Sequence, residues 1–227
     1  MNRLRLITII VVVVLLLSGT IYIVFAHGNA NPRILPPNSR VEGLTYGEWS
    51  AKWWQYIFSL PDAENPLTGG TGANCVFQRI GNVGLIAANP QSDSEITCQV
   101  PNGMKLYLDI LSAECSTVEE PPFYGGNEEE LRTCAEGFIL HDVEASIDGV
   151  AVQNLDRYVH TSPLFEFTLP ADNILGVDAG TTAQSVSYGA HLMLAPLTPG
   201  EHTVHLHASY PNVDFTADTN YHFIVTR

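Results

Sequence analysis

Basic side chains are scarce in this chain: 10 Lys and Arg stand against 24 Asp and Glu, a formal net charge of −14 over 227 residues. Such a surface repels phosphate backbones and anionic lipid headgroups, which argues against nucleic acid as a partner and leaves a membrane only through the N-terminal segment. Cysteine is limited to Cys75, Cys98, Cys115 and Cys134. None of them stands in Cys-x-x-Cys or paired Cys/His spacing, so a finger-type zinc site has no support. Gly-x-Ser-x-Gly, His-Glu-x-x-His and the alternating Asp/Asn calcium loop are all missing. Asn-x-Ser/Thr sequons and internal repeats are missing too. No residue stands out as catalytic, no cofactor is implied, and the chain leans away from enzymes.

One long hydrophobic run is present. Arg3 and Arg5 precede the apolar stretch from Leu6 to Ala26, which reads as an export signal. Val24 and Ala26 are the small residues that precede a signal-peptidase cut. The run also approaches the roughly 20 apolar residues that a membrane-spanning helix needs. Residues 1–26 are therefore read as a signal peptide or a transmembrane anchor, and the rest as secreted or held on the outer face of the cytoplasmic membrane. Loss of Arg3 and Arg5 with that segment takes the net charge from −14 to −16. In an oxidising compartment the four cysteines pair, and three connectivities satisfy the count. Nearest neighbours, Cys75 with Cys98 and Cys115 with Cys134, are the preferred pairing. Each bridge is worth roughly 3 kcal/mol in the chain-entropy account.

Residues 27–44 carry three prolines and little periodicity, so they read as an extended tether. Thr45 and Glu48 form a capping box, and Trp49, Trp53 and Ile57 then recur at helical spacing up to Pro61. Asn127 and Glu130 announce a second helix that leaves at Gly137. Elsewhere the period is two: Met104 to Ile110, Phe165 to Leu169, Val186 to Leu194, Val204 to Ala208 and Tyr221 to Val225 read as strands. Asp148-Gly149 is a two-residue hairpin turn. These signals predict a mainly β chain, with an immunoglobulin-like β-sandwich over 138–227 and a disulfide-braced N-terminal α/β elaboration over 45–137.

Four passages carry a resemblance: Tyr46-Gly47-Glu48-Trp49-Ser50-Ala51-Lys52-Trp53-Trp54-Gln55, the Cys98–Gly103 turn, the Glu114-Cys115-Ser116-Thr117 corner, and Leu194 to Thr203 around Pro199-Gly200. Together they resemble a family of uncharacterised exported bacterial proteins. The resemblance spans most of the chain after residue 26. It implies export and disulfides, and it implies no activity.

Two constellations are candidate binding sites. The first is the aromatic helix, where Trp49 and Trp53 are expected in the core and Trp54 and Tyr56 form a possible ligand platform. The second is histidine-rich. His205 and His207 share one strand face about 7 Å apart. Pairing of Leu194 with Leu206 would bring His191 and Met193 beside them. Imidazole and thioether donors together favour copper, with zinc the other metal that suits imidazole. The sequence thus predicts an exported cell-envelope or extracellular domain that binds a protein or glycan ligand, or serves structure. The alternative is a copper- or zinc-binding protein or metal-dependent enzyme built on His191, Met193, His205 and His207.

Overall fold

Helix α1 (Tyr46–Phe58) begins where the capping box places it: the Glu48 amide donates to Thr45 Oγ1 (3.3 Å), and the Thr45 amide donates to Glu48 Oε2 (2.7 Å). Helix α2 (Glu128–Glu136) begins on Asn127, whose Oδ1 accepts from the Glu130 amide at 3.1 Å. Glu128, Glu129 and Glu130 occupy its first turn, the positive end of its dipole. The computed structural model describes residues 31, 33–68, 75–90 and 95–227. The export segment 1–26 and residues 27–30 lie outside the described residues. No described helix is long and apolar enough to cross a membrane.

The chain is mainly β and forms two sheets. Its strands are β1 (Val76–Ile80), β2 (Val83–Ala87), β3 (Ile96–Val100), β4 (Lys105–Ser116), β5 (His141–Ile147), β6 (Val150–Ala151), β7 (Val159–Thr161), β8 (Phe165–Thr168), β9 (Thr182–Leu194), β10 (Gly200–Tyr210) and β11 (Phe215–Val225). The first sheet runs β1-β2-β4-β9-β7, with β8 also paired to β9, and the second runs β3-β11-β10-β5-β6. Both sheets therefore draw on 45–137 as well as on 138–227. The pairs β2/β4 and β3/β11 are parallel; all others are antiparallel.

Burial differs from strand to strand. In β11, Ala217, Thr219, Tyr221, Phe223 and Val225 are buried while Thr216, Asp218 and Asn220 face water, the alternation of a one-sided sheet. β4 and the second half of β9 are instead buried on both faces. α1 packs against β4, β7, β8 and β9, and β4 also contacts β10 of the second sheet. The Asp148-Gly149 turn joins β5 to β6 with positive φ at both residues (50° and 75°), as a type I′ hairpin requires. Both disulfides form, Cys75–Cys98 and Cys115–Cys134, and the second fastens α2 to β4. Residues 33–44, expected as a tether, lie on the domain: Ile34 and Val41 are buried, Ile34 bridges Leu194, and the Leu35 amide donates to the Met193 carbonyl (2.9 Å).

One expected contact fails. β9 and β10 do not pair, because the Ala195–Pro199 connection, with Pro196 and Pro199 lacking amides, carries the chain from one sheet to the other. Leu194 sits opposite Leu106, and Leu206 lies between Thr219 and Ala145.

Candidate functional site

That crossing separates the four expected metal ligands. His191 and Met193 are buried in the first sheet, whereas His205 and His207 lie on the second. His205 Nε2 and His207 Nδ1 both meet the Asp218 carboxylate, at 3.1 and 2.9 Å. Those two bonds outweigh the upward push of partial burial and hold Asp218 below the usual carboxylate range. Among the described residues, no group of three or more His, Cys, Asp and Glu side chains is placed to hold a metal ion.

Trp54 and Tyr56 do not form a displayed platform. Both are buried, at 8% and 9% exposure. Burial pushes the Tyr56 hydroxyl up to about 12. α1 is covered nearly all round because three indoles reach backbone or hydroxyl acceptors within the fold: Trp49 Nε1 donates to the Val41 carbonyl (3.0 Å), Trp53 Nε1 to the Ile86 carbonyl (2.8 Å) and Trp54 Nε1 to Ser112 Oγ (3.0 Å).

Trp54 does line a cavity of about 510 Å³. Its position follows from the length of the strands. β2 pairs with β4 only over Lys105–Leu108. Past Leu108, that outer edge of β4 has no strand partner among the described residues until Ser116 bridges Tyr124. The cavity occupies this gap. Trp53, Trp54 and Phe58 of α1 contribute to its lining, as do Tyr210, Phe215 and Tyr221 of the second sheet, with Ile110 to Glu114 of β4 between them. Phe123 and Val213 are lining residues that also reach solvent, at 36% and 42% exposure. A few hundred cubic ångströms with mainly apolar walls and few polar groups is the form of a small-molecule site.

The polar groups come from a β-bulge. The β4/β9 register shifts between Asp109 and Leu111, so Ile110 is an extra residue and the side-chain alternation changes phase. As a result Ser112 lies beside Asp109 rather than on the opposite face, and Ser112 Oγ donates to Asp109 Oδ2 at 3.0 Å. The other Asp109 oxygen lies 2.8 Å from His191 Nδ1, an ion-pair distance without hydrogen-bond alignment. Serine, aspartate and histidine thus meet, but the carboxylate stands in the middle. A nucleophilic triad needs the imidazole between hydroxyl and carboxylate, so this line is a support for β4 and Trp54.

Glu114, two residues further along, is 3% exposed. Its Oε2 accepts from the Ser185 hydroxyl, while its Oε1 is buried with no partner. Burial, then the adjacent Glu119, push the Glu114 carboxyl well above the ordinary range. Glu119 Oε2 accepts from Ser116 Oγ at 2.8 Å. Among the described residues, the cavity lining contains Asp109, Glu114 and Glu119 and no Lys, Arg or His. Sequence reading missed Glu114. Its one signal was a glutamate between the apolar Ala113 and Cys115 of a strand, since Glu is almost never fully buried without a partner. In comparisons with known proteins, no family model matches this chain and no curated protein matches it.

Proposed function

We propose that this protein is an exported, non-enzymatic binding domain whose ligand is an apolar molecule held in the cavity along the open edge of β4. The observation that carries the reading is the meeting of a cavity of about 510 Å³, walled by Trp53, Trp54, Phe58 and Tyr210, with the buried and unpartnered carboxyl oxygen Glu114 Oε1. A buried acceptor without a partner costs about 1–3 kcal/mol, and a ligand donor would remove that cost. Export is supported by the apolar run behind Arg3 and Arg5 and by the two disulfides, which persist in oxidising compartments. The frame is immunoglobulin-like in its two-sheet layering, with the parallel pairs β2/β4 and β3/β11 added to it.

The test uses N-phenyl-1-naphthylamine, a neutral apolar dye that brightens out of water. Its fluorescence should rise with the protein and saturate at one site. Ala88→Phe, which places a ring in the cavity lining, should abolish that rise while leaving the fold intact by circular dichroism. An unchanged rise in Ala88→Phe would refute the assignment of the site.

A further inference from the structure

Which head group the ligand carries follows from the balance of charges around the cavity. Among the described residues three carboxyl-bearing side chains line it, and their available oxygens are not equivalent. Asp109 is already engaged by His191 and Ser112. Glu119 accepts from Ser116 Oγ. Asp109 Oδ1 also lacks a hydrogen-bond partner but lies 2.8 Å from His191 Nδ1, whereas Glu114 Oε1 has neither a hydrogen-bond partner nor an imidazole beside it, and lies at 3% exposure, where water reaches least. Among the described residues, no cationic side chain lines the same space. A buried carboxyl with a second carboxyl next to it and no cation is a site lacking one positive charge.

We infer that the ligand is an apolar molecule carrying a protonated amine, whose N–H groups donate to Glu114 Oε1 beside Glu119 while its apolar body lies against Trp54 and Phe58. This rests on the cavity being a binding site, as proposed above. An apolar carboxylate of the same shape would meet three carboxyls and is rejected. An alcohol of the same shape fills the apolar part and reaches the same oxygen, but brings no charge, so it binds more weakly. The same burial and carboxylate neighbour that hold the Glu114 proton in the free protein are countered when a cation arrives, because charge-assisted hydrogen bonds in a dry site are the strong ones.

The experiment is calorimetric titration of the purified protein at neutral pH with three probes sharing one apolar body: 4-phenylbutylamine, 4-phenylbutanol and 4-phenylbutyrate. The amine should bind at least tenfold more tightly than the alcohol, and the butyrate should give no binding heat. Glu114→Gln should bring the amine down to the affinity of the alcohol and leave the alcohol unchanged. Glu119→Gln, at a half-buried position that folding tolerates more readily, should weaken the amine in the same direction. Alcohol and amine binding equally, or an amine affinity indifferent to both substitutions, would overturn the amine assignment and leave the cavity reading standing. Absence of binding by all three would overturn both.

Discussion

Replacement of Glu114 by Gln tests the electrostatics of the cavity without any ligand. In the folded protein burial, then Glu119, raise the Glu114 carboxyl well above its ordinary value, whereas in the unfolded chain it titrates as a free glutamate. Above the unfolded value the folded state therefore holds a proton that the unfolded state has lost. Stability must fall as pH rises through that window, at a slope that approaches about 1.4 kcal/mol per pH unit for one group. Gln has the same shape and no proton to lose. Its carbonyl can still accept from the Ser185 hydroxyl that now donates to Glu114 Oε2, so at pH 5 the substitution should change stability by no more than about 1 kcal/mol. Urea unfolding followed by tryptophan fluorescence at pH 5, 6 and 7 and fixed ionic strength reads the effect. The parent should lose stability relative to Glu114→Gln by about 1 kcal/mol for each unit of pH. Parallel stability profiles for the two proteins would refute the buried, proton-holding carboxyl.

Four further variants probe the frame of the site. Gly47→Ala would ordinarily gain about 1 kcal/mol of helix propensity. Here the added Cβ lands on the Thr161 carbonyl oxygen, so urea unfolding should show net destabilisation, with overpacking costing about 1–3 kcal/mol. Trp53→Ala and Trp54→Ala should each cost roughly 3–5 kcal/mol in the same assay, since both indoles are buried and hydrogen-bonded; a loss under 1 kcal/mol at Trp54 would restore the exposed-platform reading. Cys115→Ser with Cys134→Ser should lower stability by about 3 kcal/mol, because it frees α2 from β4 across 19 residues of chain.

The sequence was most legible where one local rule acted alone. Thr45 with Glu48, Asn127 with Glu130, and Asp148-Gly149 each specify a cap or a turn within four residues, and each forms as read. The alternating runs of β8, β10 and β11 were legible because their strands bury one face. β2, Val-Gly-Leu-Ile-Ala, is buried at every residue and so shows no period. The pairing of strands was not legible. His191 and His205 look like neighbours across a hairpin until the chain changes sheets at Ala195–Pro199. The site itself was hidden by one inserted residue. Counting by twos along β4 puts Asp109 and Glu114 on opposite faces, and only the bulge at Ile110 brings Ser112 back beside Asp109 and Glu114 into the cavity lining.

An apolar ligand in the cavity would lie beside Trp53 and Trp54. The chain has only three tryptophans, and Trp49, hydrogen-bonded to the Val41 carbonyl, does not line the cavity. A nitrogen-15 correlation spectrum of the labelled protein gives one indole signal for each, assigned by Trp49→Phe, Trp53→Phe and Trp54→Phe. Addition of 4-phenylbutanol should shift the Trp53 and Trp54 signals in a saturable way and leave that of Trp49 in place. Equal shifts at all three, or no shift at Trp53 and Trp54, would rule out an apolar ligand in this cavity.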